Sequence, residues 1–187
     1  MRYGVFSRPK ADREVSGDAY LVLEEKGFSL FALVDGLGSG EEAAHAARKA
    51  VECIREHRDL PLLEVLRACH SALHNTRGVV VGLLRVEEEA GRVRYAGVGN
   101  IGLWALSQEP FRPISYNGIV GYRLPRVQEF VGAYHPGDTF ILYSDGIDDR
   151  FRSDEVLLRE EGDPQRLAEA IARRYGRDDD VCVLVVR

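Results

Sequence analysis

This sequence predicts an α+β fold of antiparallel sheets packed with helices. Three observations carry that prediction. Runs of β-branched and aromatic residues between turn residues mark seven clear strands. Two pairs of these runs are separated only by a short turn, which makes each pair an antiparallel hairpin. Helical periodicity comes as one pair of segments and one single segment, and does not alternate with strands as a parallel βαβ sheet requires.

The elements follow in chain order. Ala19–Glu24 and Phe28–Val34 flank Lys26-Gly27 and form the first hairpin. The first helix is expected to start at Ser39, where Ser39 and Glu42 make an S-x-x-E capping box. Ala43, Ala47, Val51 and Ile54 then repeat at helical spacing. Pro61 opens a second helix with Leu62, Leu66, Cys69 and Leu73 on one face. Val79–Val86 and Arg92–Val98 flank Glu89-Ala90-Gly91 as the second hairpin, and Ile101–Leu106 and Thr139–Ser144 are further strands. Asp163-Pro164 is a cap followed by proline at the first helical position, and Gly176 ends that helix. Val181–Val186 is the last strand. No repeat or linker divides the chain, so residues 1–187 are expected to form a single domain.

Composition narrows the function. A chain of 187 residues, 45% hydrophobic and 29% charged, is a folded protein and not a disordered one. A net charge of -5 argues against a general nucleic-acid-binding face. The longest uncharged run, Tyr95 to Gln108, is 14 residues, whereas a membrane span needs about 20 mostly apolar ones. The first residues, MRYGVFSRPKADRE, carry charge throughout and hold no signal-peptide core. Three scattered cysteines, Cys53, Cys69 and Cys182, make an odd count without CxxC spacing, which fits a reduced cytoplasm.

The chemistry sits at strand ends. Phe28–Val34 runs straight into Asp35-Gly36, and Asp138–Ser144 runs straight into Asp145-Gly146. The dipeptide means little in a chain with 13 Asp and 19 Gly; its place after a buried strand does. A carboxylate there is costly unless paired or bound to a cation, and the glycine permits a sharp turn or a close approach. Ser16-Gly17-Asp18 precedes one strand and Asp178-Asp179-Asp180 precedes another. Three consecutive like charges repel, and a cation relieves that repulsion. Four acidic strand ends with no matched His/Cys set suit Mg²⁺ or Mn²⁺ and not zinc. The residues alone do not choose among Asp178, Asp179 and Asp180.

Ser-Gly-Asp-Ala at 16–19, Val-Asp-Gly-Leu-Gly-Ser-Gly at 34–40, Gly-Val-Gly-Asn at 97–100, Ser-Asp-Gly-Ile at 144–147 and Asp-Asp-Val-Cys at 179–182 occur in this order. Together they resemble the metal-dependent serine/threonine protein phosphatases of type 2C (PPM), in the bacterial SpoIIE/RsbX-like branch. The resemblance implies a four-layer α/β/β/α sandwich, two antiparallel sheets flanked by helices, with a site of two Mn²⁺ or Mg²⁺ ions at one end between the sheets. Carried over by motif, Asp35 would bridge both ions and Gly36 would offer its carbonyl. Asp145 and Asp179 would hold one ion, and Asp18 would act close by. Matching Asp179-Asp180-Val181-Cys182 to the family's D-[ND]-x-[ST] selects Asp179. The implied reaction is in-line attack of a metal-bridging hydroxide on a phosphoserine or phosphothreonine phosphate. The implied partner is a regulatory protein, a STAS-domain stressosome or anti-sigma antagonist protein. A cytoplasmic monomer is expected.

The sequence departs from the eukaryotic pattern in several places. Leu37 stands where that pattern has His, a proposed general acid, and Cys182 stands where Ser/Thr is expected. Asn100 replaces an Asp that helps hold a third metal, so two well-held ions and a weak or absent third are expected. Asn100→Asp is expected to leave the first two undisturbed, because position 100 lies in a different strand. Arg13, five residues before Asp18, is the positional match to a phosphate-binding arginine, with Arg8 the alternative. About 35 residues between Gly102 and Pro136 leave little room for a mobile flap. The spacing in Gly36-Leu37-Gly38-Ser39-Gly40 is G-x-G-x-G, which is not a dinucleotide fingerprint. His70 and His74 lie four apart on a helix but lack the H-E-x-x-H glutamate, so they carry no zinc expectation. The rival class is a phosphatase-like scaffold kept as a regulatory binding module. The retention of Asp18, Asp35, Asp145 and Asp179 argues against it.

Overall fold

The computed structural model describes residues 1–160 and 162–187, with residues 159 and 160 described by backbone alone. Its strands are β1 (Tyr3–Arg8), β2 (Asp18–Glu25), β3 (Phe28–Gly36), β4 (Val79–Glu87), β5 (Arg92–Val98), β6 (Gly102–Leu106), β7 (Phe130–Ala133), β8 (Thr139–Tyr143) and β9 (Val181–Val186). Its helices are α1 (Glu41–Glu56), α2 (Leu62–Ala72), α3 (Glu155–Glu160) and α4 (Pro164–Tyr175), with a 3₁₀ turn at Asp149–Ser153. One sheet has the order β2-β3-β4-β5-β7 and the other β1-β9-β8-β6. Every named pairing is antiparallel.

The layers follow from side-chain alternation. In β3, Leu30, Ala32 and Val34 point toward α1 and α2, while Phe31 and Leu33 point into the space between the sheets. In β8 and β9, Phe140, Leu142, Cys182 and Leu184 meet them there, and Ile141, Tyr143, Val183 and Val185 face α4. Both faces of these strands are covered, which is why they read as continuous apolar runs and not as alternating ones. Each fully buried Leu, Val or Phe contributes about 1.5–3 kcal/mol. The result is the α/β/β/α sandwich that the motifs imply.

Both hairpins and the capped start of α4 stand as expected: Asp163 accepts from the amides of Gln165 and Arg166. The start of α1 differs. Gly40, at φ 77°, occupies the cap position and the helix begins at Glu41, with no side-chain cap. Ser39 is therefore one residue outside the helix, and Glu42 pairs with Arg77 instead of closing a box. The positive φ that glycine allows here sets the helix entry, so the capping box does not form. β1, β7, α3 and the 3₁₀ turn were not foreseen. β1 and β7 are edge strands of 6 and 4 residues, only partly buried, and carry a weak apolar signal.

Candidate active site

The β2–β3 pairing sets Asp18 opposite Asp35, so the hairpin alone places two carboxylates side by side at one sheet end. In the other sheet, Asp145 follows β8, and Asp179 and Asp180 precede its neighbour β9. These strand ends open into one cleft of about 550 Å³, lined among others by Asp18, Asp35, Asn100, Asp145, Asp179 and Asp180. The structure thus gathers Asp18, Asp35, Asp145 and Asp179, each picked from sequence. It also brings in Asp180, while Asp178 is not among the lining residues.

The neighbours of these carboxylates divide their roles. Asp180 is buried and accepts from the amides of Lys10 and Gly17, both at 2.8 Å, which pins the loop before β2. The Asp179 carboxylate accepts, among the described residues, from the Asp180 amide alone, at 2.9 Å, and Asp179 stays exposed. Ser144 is fully buried; its hydroxyl donates to Asp18 at 2.6 Å and accepts from the Cys182 amide at 3.0 Å. That hydroxyl ties the two sheets together directly beneath the cleft. Sequence reasoning passed over Ser144, because a serine before Asp-Gly looks like any turn residue.

The glycines of the two Asp-Gly pairs serve close approach. A Cβ at Gly36 would lie 2.0 Å from the Ala43 carbonyl of α1, and one at Gly146 would lie 1.9 Å from the Asp180 carbonyl. Backbone cannot yield as a flexible side chain does. Gly146→Ala is therefore expected to destabilise the protein by about 3 kcal/mol or more, with a melting temperature several degrees lower by calorimetry. A melting temperature equal to that of the parent would remove this role.

Electrostatics set the carboxyls of the cleft against burial and against one another. The Asp35 carboxyl is pushed up to about 8, chiefly by burial and then by the charges of Asp18, Asp145, Asp180 and Asp179. The Asp18 carboxyl is pushed up to about 7, again chiefly by burial, against a lowering contribution from Ser144. Among the described residues, no three His, Cys, Asp or Glu side chains already converge on a single point. The aspartates ring the cleft instead, an arrangement that suits hard cations keeping several waters. An all-oxygen donor set under mutual repulsion fits Mg²⁺ or Mn²⁺.

Other expectations resolve differently. Arg13 is exposed, with its nearest ionic partner Asp12 at 3.9 Å, and is not among the cleft residues. Arg8 donates to the carbonyls of Pro9, Asp179 and Arg177, so it braces the acidic loop from behind. Leu37 lines the cleft as an apolar wall. Asn100 is not insulated by its strand: its amide donates to Asp145 at 2.9 Å. Asn100→Asp sets one carboxylate against another. It is expected to cost the metal-free protein about 0.5–1 kcal/mol at pH 8 and to change Mn²⁺ binding at Asp145 itself. An unchanged melting temperature together with an unchanged Mn²⁺ isotherm would restore the original expectation.

The segment 107–129 crosses the cleft, contributing Ser115, Asn117, Gly118 and Ile119. It is tied by bridges Val79–Val120 and Val98–Tyr116 and by two histidines. His70 accepts from the Gly121 amide at 3.0 Å, and the His74 ring meets the Gly121 carbonyl at 3.2 Å. The histidine pair thus anchors this segment to α2.

A four-layer sandwich of antiparallel sheets with aspartates gathered at one end between them defines the type 2C protein phosphatase fold. Residues 26–187 match the family Stage II sporulation protein E (SpoIIE), and the chain belongs to that family. Phosphoserine phosphatase RsbX of Bacillus subtilis (strain 168) is 24% identical over 145 residues, covering 76% of this chain and 73% of the relative. A chain solved in work on the bacterial stressosome as a modular system adapted to control secondary messenger signaling is 35% identical. Its TM-score is 0.94 over 100% of this chain and 98% of that one. RsbX in complex with magnesium superposes with a TM-score of 0.86 at 22% identity, over 97% of this chain and 92% of that one.

Proposed function

We propose that this chain is a Mn²⁺- or Mg²⁺-dependent protein phosphatase that hydrolyses phosphoserine or phosphothreonine on a regulatory partner. The gathering of Asp18, Asp35, Asp145 and Asp179 from four separate segments into one cleft carries this reading. Asp35, the Gly36 carbonyl, Asp145 and Asp179 would hold two ions, with Asp18 beside them. When bound, such a pair of cations lowers the pKa of water and neutralises phosphoryl oxygens.

The chain's own residues do the positioning. Ser144 fixes Asp18, and Asn100 orients Asp145. The Asp180 carboxylate keeps the loop carrying Asp18 closed on the site. Direct hydrolysis is favoured over a phosphoenzyme by the state of Ser115, the one hydroxyl side chain among the described cleft residues. It donates to the Ile101 carbonyl at 2.8 Å and bonds the Tyr95 hydroxyl at 2.9 Å, with no base in contact to activate it. Leu37 offers no proton, so the leaving serine takes its proton from water or from another residue.

The partner class follows from the relatives. A phosphoserine phosphatase and a stressosome chain stand among them, so a STAS-domain stressosome or antagonist protein in the cytoplasm is the proposed substrate. Among the described residues, no helix is long and apolar enough to cross a membrane.

The test is phosphate release from a phosphoserine peptide with Mn²⁺, with Mg²⁺ and after exhaustive chelation. Turnover is expected only with added cation. Full activity after chelation would overturn the reading, and no turnover under any cation would favour the binding-module class. A phosphoproteomic comparison of cells with and without the protein would then identify the partner.

A further inference from the structure

A second recess, of about 510 Å³, adjoins the cleft and shares Gly99, Asn100, Ser115 and Asp145 with it. It lies at the β6 edge of the four-stranded sheet, beside the 3₁₀ turn, and Tyr143, Arg152 and Arg177 line it. Five buried side-chain polar atoms among the described residues lack a hydrogen-bond partner; two of them, Tyr143 Oη and Arg152 Nε, belong to residues lining this recess, and a third, Trp104 Nε1, belongs to the ring against which Arg152 packs. The Arg152 guanidinium stacks 5.2 Å over the Tyr143 ring and 5.7 Å over the Trp104 ring. All three atoms bear hydrogens to donate. Tyr143 is only 4% exposed, and a buried donor left unpaired costs about 1–3 kcal/mol.

Space for the phenol is provided deliberately. Gly102 stands opposite Tyr143 in the β6–β8 register, and a Cβ there would lie 2.4 Å from the hydroxyl. The charges facing the recess are mixed. Asp149 lies 3.7 Å from the outer nitrogen Nη1 of Arg152, which leaves Nε uncommitted. Arg177 donates through Nη1 to the Asp145 carbonyl at 3.2 Å, and its Nη2 is 3.9 Å from Asp148.

The geometry points to a second anion subsite that takes the carboxylate or phosphate of a residue flanking the phosphoserine being hydrolysed. Unpaired donors on Tyr143 and Arg152, beside the Arg177 guanidinium, are complementary to an oxyanion. The shared wall with the cleft places such a group within a few residues of the reacting one. This subsite makes the substrate an acidic or multiply phosphorylated segment, and it rests on the phosphatase reading above.

The test uses three phosphoserine peptides that differ only in the flanking residue: alanine, glutamate or a second phosphoserine. The parent is expected to prefer an acidic flank by about tenfold in kcat/KM, through KM, the size of one charge-assisted hydrogen bond. Preference for the second phosphoserine alone assigns a phosphate site, and preference for both assigns a general carboxylate-or-phosphate site. Tyr143→Phe, which removes one oxygen, and Arg152→Gln should each bring the ratio toward one. Trp104 is the sole tryptophan and packs 5.7 Å from the Arg152 guanidinium, so its fluorescence reports on Arg152 without turnover. Glutamate-flanked peptide with plain serine at the reacting position should shift that signal saturably, and alanine-flanked peptide should not. Failure of all three phosphopeptides to turn over would count against the phosphatase reading, while the fluorescence titration still decides the subsite. Equal rates on the three peptides, or a titration with no shift, would overturn the subsite and leave a recess that holds water.

Discussion

Asp35→Asn is expected to lower phosphate release by about a thousandfold or more, the loss of several kcal/mol of transition-state stabilisation that a divalent site supplies. Asparagine keeps the size and the strand, so the β2–β3 ladder with Asp18 opposite position 35 survives. What it removes is the charge that Asp35 holds against burial and against Asp18, Asp145, Asp180 and Asp179. A protein retains so unfavourable a carboxylate where a cation offsets it. Calorimetric titration should therefore show Mn²⁺ binding weakened or lost. Without metal at pH 8, the variant should melt higher than the parent, because one repelling carboxylate is gone. Higher stability with lost activity separates a ligand role from a folding defect. Parental turnover in the variant would show that the cation is held elsewhere.

The sandwich was legible because its strands are buried on both faces. Phe28–Val34 and Val181–Val186 are continuous apolar runs in the sequence, and in the fold they lie between a helix layer and the opposing sheet. The aspartates were legible because a charge at the end of such a run needs a reason. Less legible was anything set by contacts between distant segments. Ser144 acquires its role only when β8 and β9 bring it against Asp18, 126 residues away. The role of Asn100 depends on Asp145, 45 residues away. Arg13, chosen for its spacing before Asp18, lies exposed beside Asp12 and is not among the residues that line the cleft. β1 escaped notice because its strand character comes from pairing with β9 at the far end of the chain. The capping box failed because a local signal, Ser39 with Glu42, yielded to the positive φ that Gly40 adopts one residue later.

The metal-free protein is expected to lose stability as pH rises from about 4 to about 8, and added Mn²⁺ to reverse that loss. Asp18 and Asp35 both have folded-state values raised from 3.8, to about 7 and about 8. Well below pH 4 both are neutral in the folded and the unfolded chain, and no penalty exists. Between pH 4 and 8 the unfolded chain releases protons that the folded chain retains, so folding stability falls with each unit of pH. Above pH 8 the full penalty of two buried, mutually repelling carboxylates is present. Asp154 and Asp163, whose values are lowered by hydrogen bonds to backbone amides, act with the opposite sign. Their contribution is lost only as pH falls below the ordinary carboxylate range, so it leaves the interval from 4 to 8 untouched. A bound cation favours the charged carboxylates, and its affinity rises as the protons leave. The gap in melting temperature between protein with Mn²⁺ and protein with chelator should therefore widen steadily from pH 5 to pH 8. Scanning calorimetry at unit steps of pH measures it. A gap independent of pH would mean that Asp18 and Asp35 are already ionised without metal, and that something other than a cation relieves their repulsion.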